Sequence, residues 1–243
     1  MTGVQTCALP ISSKTEACSY RDNTPEDFVF TCKALQDITL THARNFDKSK
    51  PLEENKNFLS VELFNRYCEG IEPLLGKIGV IMFEFEYLNK EKMESFGKFI
   101  DLFGAFKSSI DKQYKIGIEI RNKNYLTEDY FRFLQENDII YVFSEKQYMP
   151  PVYEVYEKYK SFIGDRTVLR LLGNSRSDIE KLTNEQWNKI VDEKNKEEII
   201  KLSIDLKFRG GMVVINVNNH YEGSAPLTIE SMKALFDRHG VSV

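Results

Sequence analysis

Glycine-rich phosphate loops are missing from this chain: its 13 glycines are scattered, and none falls into GxGxxG or P-loop spacing. A nucleotide-binding open sheet thereby loses its best support. Cysteine is scarce as well, at four residues with no CxxC pair. That argues against a disulfide framework or a zinc site and for reduced thiols in a cytoplasmic protein. No segment reaches the roughly 18 consecutive apolar residues that a membrane span needs. Positive charge is not in excess either, the net charge being −4, which argues against a dominant interaction with a phosphate backbone while leaving room for a local basic site. With three histidines and no tight His/Asp/Glu group, no metal is assigned, and the cofactor is left open.

What is present suits one globular domain with a substantial core, at 42% apolar and 29% charged residues. Short runs rich in β-branched and aromatic residues recur at Phe28–Ala34, Ile78–Phe85, Lys115–Arg121, Ile139–Phe143, Thr167–Gly173 and Met212–His220. Helical stretches separate them, the pattern of a parallel sheet. Met93, Phe96, Phe99, Ile100, Phe103 and Phe106 repeat at three and four residues, as do Leu63, Phe64, Tyr67, Ile71 and Leu74; both predict amphipathic helices. Thr183 with Gln186 reads as a capping box, Thr228 as an N-cap, and Gly240 as a C-terminal cap. Six strand–helix units fit an open doubly wound sheet or part of an eight-unit barrel, and the missing glycine signature favours the barrel.

The first eleven residues, Met1-Thr-Gly-Val-Gln-Thr-Cys-Ala-Leu-Pro-Ile11, have neither the basic start nor the apolar run of a secretory signal. They resemble the translation of a common short-read sequencing adapter, with GTG as the initiating codon. On that reading residues 1–11 are an artefact, and residues 12–243 are the domain. From about Pro25 onward, a series of blocks carries a family resemblance: Phe28-Val-Phe-Thr-Cys-Lys33-Ala, Ile38-Thr-Leu-Thr-His42, Leu75-Gly-Lys-Ile-Gly79, and Met82-Phe-Glu-Phe-Glu-Tyr-Leu-Asn89. Gly117-Ile-Glu119-Ile-Arg121-Asn, Val168-Leu-Arg170-Leu and Asn218-Asn-His220-Tyr-Glu-Gly223-Ser-Ala225-Pro226 complete it. In these blocks the chain resembles the domain of unknown function 72 family, the YecE-like proteins.

The resemblance implies an α/β fold of the TIM (β/α) barrel type, incomplete, with about six of eight strands present. It also implies that the family's first strands are lacking, which would leave Phe28–Ala34 and Met212–His220 as unpaired edges. The family's Arg-Leu-His-Gly block reads Arg170-Leu-Leu172-Gly here, so no role for that histidine carries over. The family brings a fold and a site position, and no agreed reaction.

Strand alternation points Val29, Thr31 and Lys33 to one face, and Gly117, Glu119 and Arg121 inward, with Ile116, Ile118 and Ile120 toward helices. Val214, Asn216, Asn218 and His220 alternate with Val213, Ile215 and Val217. The ionisable residues fall late in their strands, where barrels of this kind place their sites. Glu119, His220 and Lys33 are the candidate catalytic groups, and Arg121, Arg170, Asn216, Asn218 and His42 the candidate ligand contacts. The alternative for Glu119 and Arg121 is a structural ion pair, and for Lys33 a pairing with Glu84 or Glu119. The asparagines before Gly223 could simply hold a turn. Tyr87, Tyr148, Tyr153 and Tyr221 could stack on a ring.

These residues suggest a small molecule bearing phosphate or carboxylate, with or without acid/base catalysis. A non-catalytic nucleotide or nucleic-acid binding module and a non-functional gene fragment stay open beside it. The oligomeric state cannot be read from the residues.

Overall fold

The computed structural model describes residues 3–5, 13–44 and 51–242. They fall into two compact units, one of residues 13–139 and one of residues 140–242 with Gly3–Gln5. In chain order the first elements are β1 (Gly3–Gln5), α1 (Lys14–Asp22), β2 (Phe30–Lys33), α2 (Gln36–Thr39), α3 (Val61–Ile71), β3 (Ile78–Glu84), α4 (Phe96–Ser109), β4 (Ile116–Glu119) and α5 (Glu128–Glu136). The second unit continues with β5 (Ile140–Lys146), α6 (Val152–Tyr159), β6 (Arg166–Gly173), α7 (Arg176–Thr183), α8 (Glu197–Phe208), β7 (Met212–Val217), α9 (Asn219–Glu222) and α10 (Ala225–Arg238). Strands alternating with helices in this way make the chain an α/β protein.

In the first unit β3 lies between β2 and β4, and both pairings are parallel. All four residues of β4 are buried, as a parallel strand covered on both faces requires. Phe83 of β3 and Phe85, just past its end, share one face, and α4 meets it with Phe99 and Phe103. These rings meet edge-on: Phe83 with Phe103 at 5.5 Å and Phe85 with Phe99 at 5.1 Å between centroids. Each such pair contributes about 0.5–1.5 kcal/mol beyond the area it buries. Because strand side chains alternate, seating Phe83 and Phe85 on α4 turns Glu84 to the opposite face.

In the second unit β6 pairs with β5 and β7, and β1 pairs with β7, all in parallel. The expected bare edge at Met212–His220 is therefore corrected: Gly3, Val4 and Gln5 lie in register with Val214, Ile215 and Asn216. The rest of the adapter-like segment, residues 1, 2 and 6–11 with Cys7 among them, lies outside the described residues.

Several local expectations are also corrected. The last strand stops at Val217, because the Asn218 side chain accepts from the His220 N–H at 2.9 Å and starts α9. Thr183 ends α7 and does not begin a helix: its hydroxyl donates back to the Ile179 carbonyl at 2.8 Å, while Ser175 is the N-cap. Thr228 lies inside α10, whose N-cap is Ser224, with Pro226 in the first turn. Gly240 does follow α10 in the left-handed conformation, φ 69°, as a C-terminal cap should. Cys18, Cys32 and Cys68 are free thiols, and burial pushes Cys32 and Cys68 up to about 12, away from the thiolate form that a nucleophile needs.

Candidate functional site

Lys33, Glu84 and Glu119 are the last residues of β2, β3 and β4, and Arg121 follows two positions later. Parallel register puts Glu84 beside Glu119, so their charges share one end of the sheet. Two hydrogen-bond sets hold that end in place. The Tyr67 hydroxyl donates to the Lys33 carbonyl at 2.9 Å. The buried Asn122 side chain accepts from the Leu88 N–H and donates to the Leu88 carbonyl, each at 2.8 Å.

Glu84 joins the two cations. Its Oε2 lies 2.8 Å from Lys33 Nζ, and its Oε1 accepts from Arg121 Nη2. Arg121 Nε is 3.8 Å from Glu119 Oε1, an ion pair too long for a hydrogen bond. Arg121 Nε is in fact a buried donor with no hydrogen-bond partner among the described residues. Glu119 itself is completely buried.

A cavity of about 420 Å³ opens beside this cluster, lined by Lys33, Gln36, Arg44, Glu84, Glu86 and Arg121, with Ala34, Leu35 and Leu40 supplying apolar wall. Its size is within the range of about 300–1,000 Å³ usual for small-molecule sites. Glu86 is paired with Lys92 at 2.5 Å, and Arg44 donates to the Gln36 side-chain oxygen. Glu119 is not among the lining residues, nor is His42. His42 lines a second, shallower cavity of about 320 Å³ with Glu54, Lys92 and Lys98, and its Nδ1 lies 2.9 Å from the Thr41 hydroxyl.

The remaining candidates belong to the second unit. Ser144, Arg170 and Asn216 are in register on β5, β6 and β7, and all three are buried, forming a polar row across the sheet. Glu145 accepts from the Val152 N–H at 2.9 Å, and burial raises its pKa above the usual carboxylate value. His220 is held at both ring nitrogens: Nδ1 by Asn218 Oδ1 at 2.7 Å and Nε2 by Glu180 Oε1 at 3.1 Å. Trp187 packs edge-on to the imidazole, 4.8 Å between centroids. Arg176 and then His220 hold the Glu180 carboxyl below its ordinary value. The structure thus gathers Lys33, Glu119 and Arg121 with Glu84 in one unit, and aligns Arg170 with Asn216 and Asn218 with His220 in the other. Tyr221 is buried, while Tyr87, Tyr148 and Tyr153 are exposed.

Sequence reading missed Arg44, Gln36 and Glu86 at the pocket and Ser144 in the polar row. Of these only Glu86 left a signal, since it stands two residues after Glu84 and so shares its direction. It also missed Glu222, whose side chain is 1% exposed and pairs with Lys196 at 2.6 Å.

Among curated proteins none matches the chain. Two crystal structures resemble it: a DUF72 family protein, TM1631, from Thermotoga maritima MSB8 and another, EF0366, from Enterococcus faecalis V583. Each has 17% identity and a TM-score of 0.65, and each match covers 97% of this chain and 84% of the other. A GH18 chitinase from Pseudoalteromonas aurantia matches at 12% identity over 95% of this chain and 99% of that one, with a TM-score of 0.41. Likeness at 17% identity shows the fold alone, and that fold is α/β of the TIM type, with β2 to β7 as the six strands that lie after the adapter-like segment. The family model described as "Protein of unknown function DUF72" matches residues 10–242. The chain belongs to the DUF72 family.

Proposed function

We propose that the pocket at the C-terminal ends of β2, β3 and β4 binds a small molecule bearing a phosphate or a carboxylate. The observation that carries this reading is Arg121 Nε, a buried N–H donor left without a hydrogen bond next to a cavity that its own residue lines. A buried donor in that state costs free energy, about 1–3 kcal/mol, that an incoming oxygen would recover. An arginine has five N–H donors in a rigid fork, so its bond to Glu84 leaves the geometry for an oxyanion intact. Glu84 also holds Lys33 in place before any ligand arrives, and this lowers the ordering cost of binding.

The arrangement supports binding over proton transfer. Glu84 is committed to two cations. Glu119 does not line the pocket. His220 has both ring nitrogens engaged. Calorimetric titration with inorganic phosphate should show Lys33→Ala and Arg121→Ala each binding at least about tenfold more weakly than the native chain, the worth of one charge-assisted hydrogen bond. Unchanged binding in both variants would remove the reading.

A further inference from the structure

Two carboxylates share the proposed pocket with its cations, and they restrict what can enter. We propose that the ligand is a polyol carrying a single anionic group, a sugar phosphate or a sugar acid, and that Glu86 selects it by accepting hydrogen bonds from its hydroxyls. This rests on the pocket being an anion site as read above.

The argument is one of charge and of donor count. Lys33 and Arg121 face Glu84 and Glu119, and Lys92 faces Glu86, so three cations meet three carboxylates. A bare anion entering among them would be drawn by Lys33 and Arg121 and opposed by Glu84 and Glu86, so it would bind weakly, because unlike and like charges at comparable distances offset in part. A hydroxyl group does not meet that opposition. It donates to a carboxylate and accepts from an ammonium or guanidinium at the same time, which a wall of matched ion pairs offers repeatedly.

Arg44 adds the surplus. Its guanidinium bonds the neutral amide of Gln36, and no carboxylate pairs with it among the described residues. One surplus cation suits one anionic group, not several. Ala34, Leu35 and Leu40 give an apolar surface for the carbon skeleton. Glu86 lines the pocket from beyond the end of β3 and is paired with Lys92 outside the Glu84 cluster, so it meets the ligand as a separate acceptor.

The test is calorimetry on the full chain with four probes: glucose 6-phosphate, gluconate, glucose and inorganic phosphate. Glucose 6-phosphate or gluconate should bind at least about tenfold more tightly than inorganic phosphate or glucose, one well-placed hydrogen-bond set being worth that factor. The tighter of the two identifies the anionic group. Glu86→Ala should erase the advantage over inorganic phosphate, and Arg121→Ala should weaken every anionic probe. Inorganic phosphate binding as tightly as both hydroxylated anions, with Arg121→Ala still weakening it, would overturn the polyol inference and leave the anion site standing. An unchanged preference in a folded Glu86→Ala variant would also overturn it. Absence of saturable binding by any anionic probe at millimolar concentration would overturn both.

Discussion

Gly173→Ala is expected to lower the stability of the chain by at least about 3 kcal/mol, since two costs fall on one residue. Gly173 ends β6 at φ 81°, a left-handed conformation that costs an alanine roughly 1–2 kcal/mol by itself. The added Cβ would then stand 2.1 Å from the carbonyl oxygen of His220 and 2.9 Å from the Tyr221 Cα. Both are backbone atoms, so no side-chain rotation relieves the clash, and α9 must move. For a chain of this size the loss corresponds to a melting temperature lower by roughly 6–12 °C. Gly164→Ala is the control, because nothing lies within 4 Å of its Cβ position. It should melt within a few degrees of the native chain. A Gly173→Ala variant melting with the control would contradict the close approach of β6 and α9.

The second large effect belongs to Glu222. Its Oε1 meets Lys196 Nζ at 2.6 Å and the Lys194 N–H at 2.7 Å, and its Oε2 accepts from the Thr228 hydroxyl at 2.7 Å. Its main-chain carbonyl accepts from the N–H groups of Val191 and Asp192. One glutamate therefore pins the segment from Val191 to Lys196. With side chains 4% and 1% exposed, Lys196 and Glu222 form a buried pair whose partners are satisfied. Breaking such a pair from one side leaves a buried charge unmatched and costs about 3–5 kcal/mol. Glu222→Gln, which keeps the shape and removes the charge, should lose that amount in urea unfolding. Lys196→Met added to it should recover part of the loss, because the unmatched ammonium is then gone. Hydrogen exchange at Val191 and Lys194 should accelerate in the single variant. Additive losses in the double variant would contradict the pairing.

How legible these features were depended on whether the cause was local. The six strand runs stood out because Val, Ile and Phe cluster between helical repeats, and Glu84 was one of the two partners that the residues offered Lys33. The pairing of Arg121 was less accessible. The i, i+2 spacing offered Glu119 as its partner, and only the parallel register, which puts Glu84 beside Glu119, lets Nη2 take Glu84 while Nε falls short of Glu119.

Caps failed for a related reason. Thr183 and Gln186 have capping-box spacing, but the Thr183 hydroxyl turns back to Ile179, and the start signal in use was Ser175. Thr228 is spent on Glu222, a long-range demand that no window around it displays. Asn218 and His220 continued an apparent alternation, yet the asparagine caps its own short helix. Glu222, beside Gly223, reads as a turn residue until its burial is known.

The measurement closest to the central claim is a crystal structure of the chain soaked in tungstate, a heavy oxyanion that stands in for phosphate. The account predicts an anomalous peak in the pocket of Lys33 and Arg121, with an oxygen at hydrogen-bond distance, about 2.7–3.2 Å, from Arg121 Nε. An empty pocket with Arg121 Nε bonded to Glu119 or to ordered water, and tungstate bound elsewhere or not at all, would contradict it.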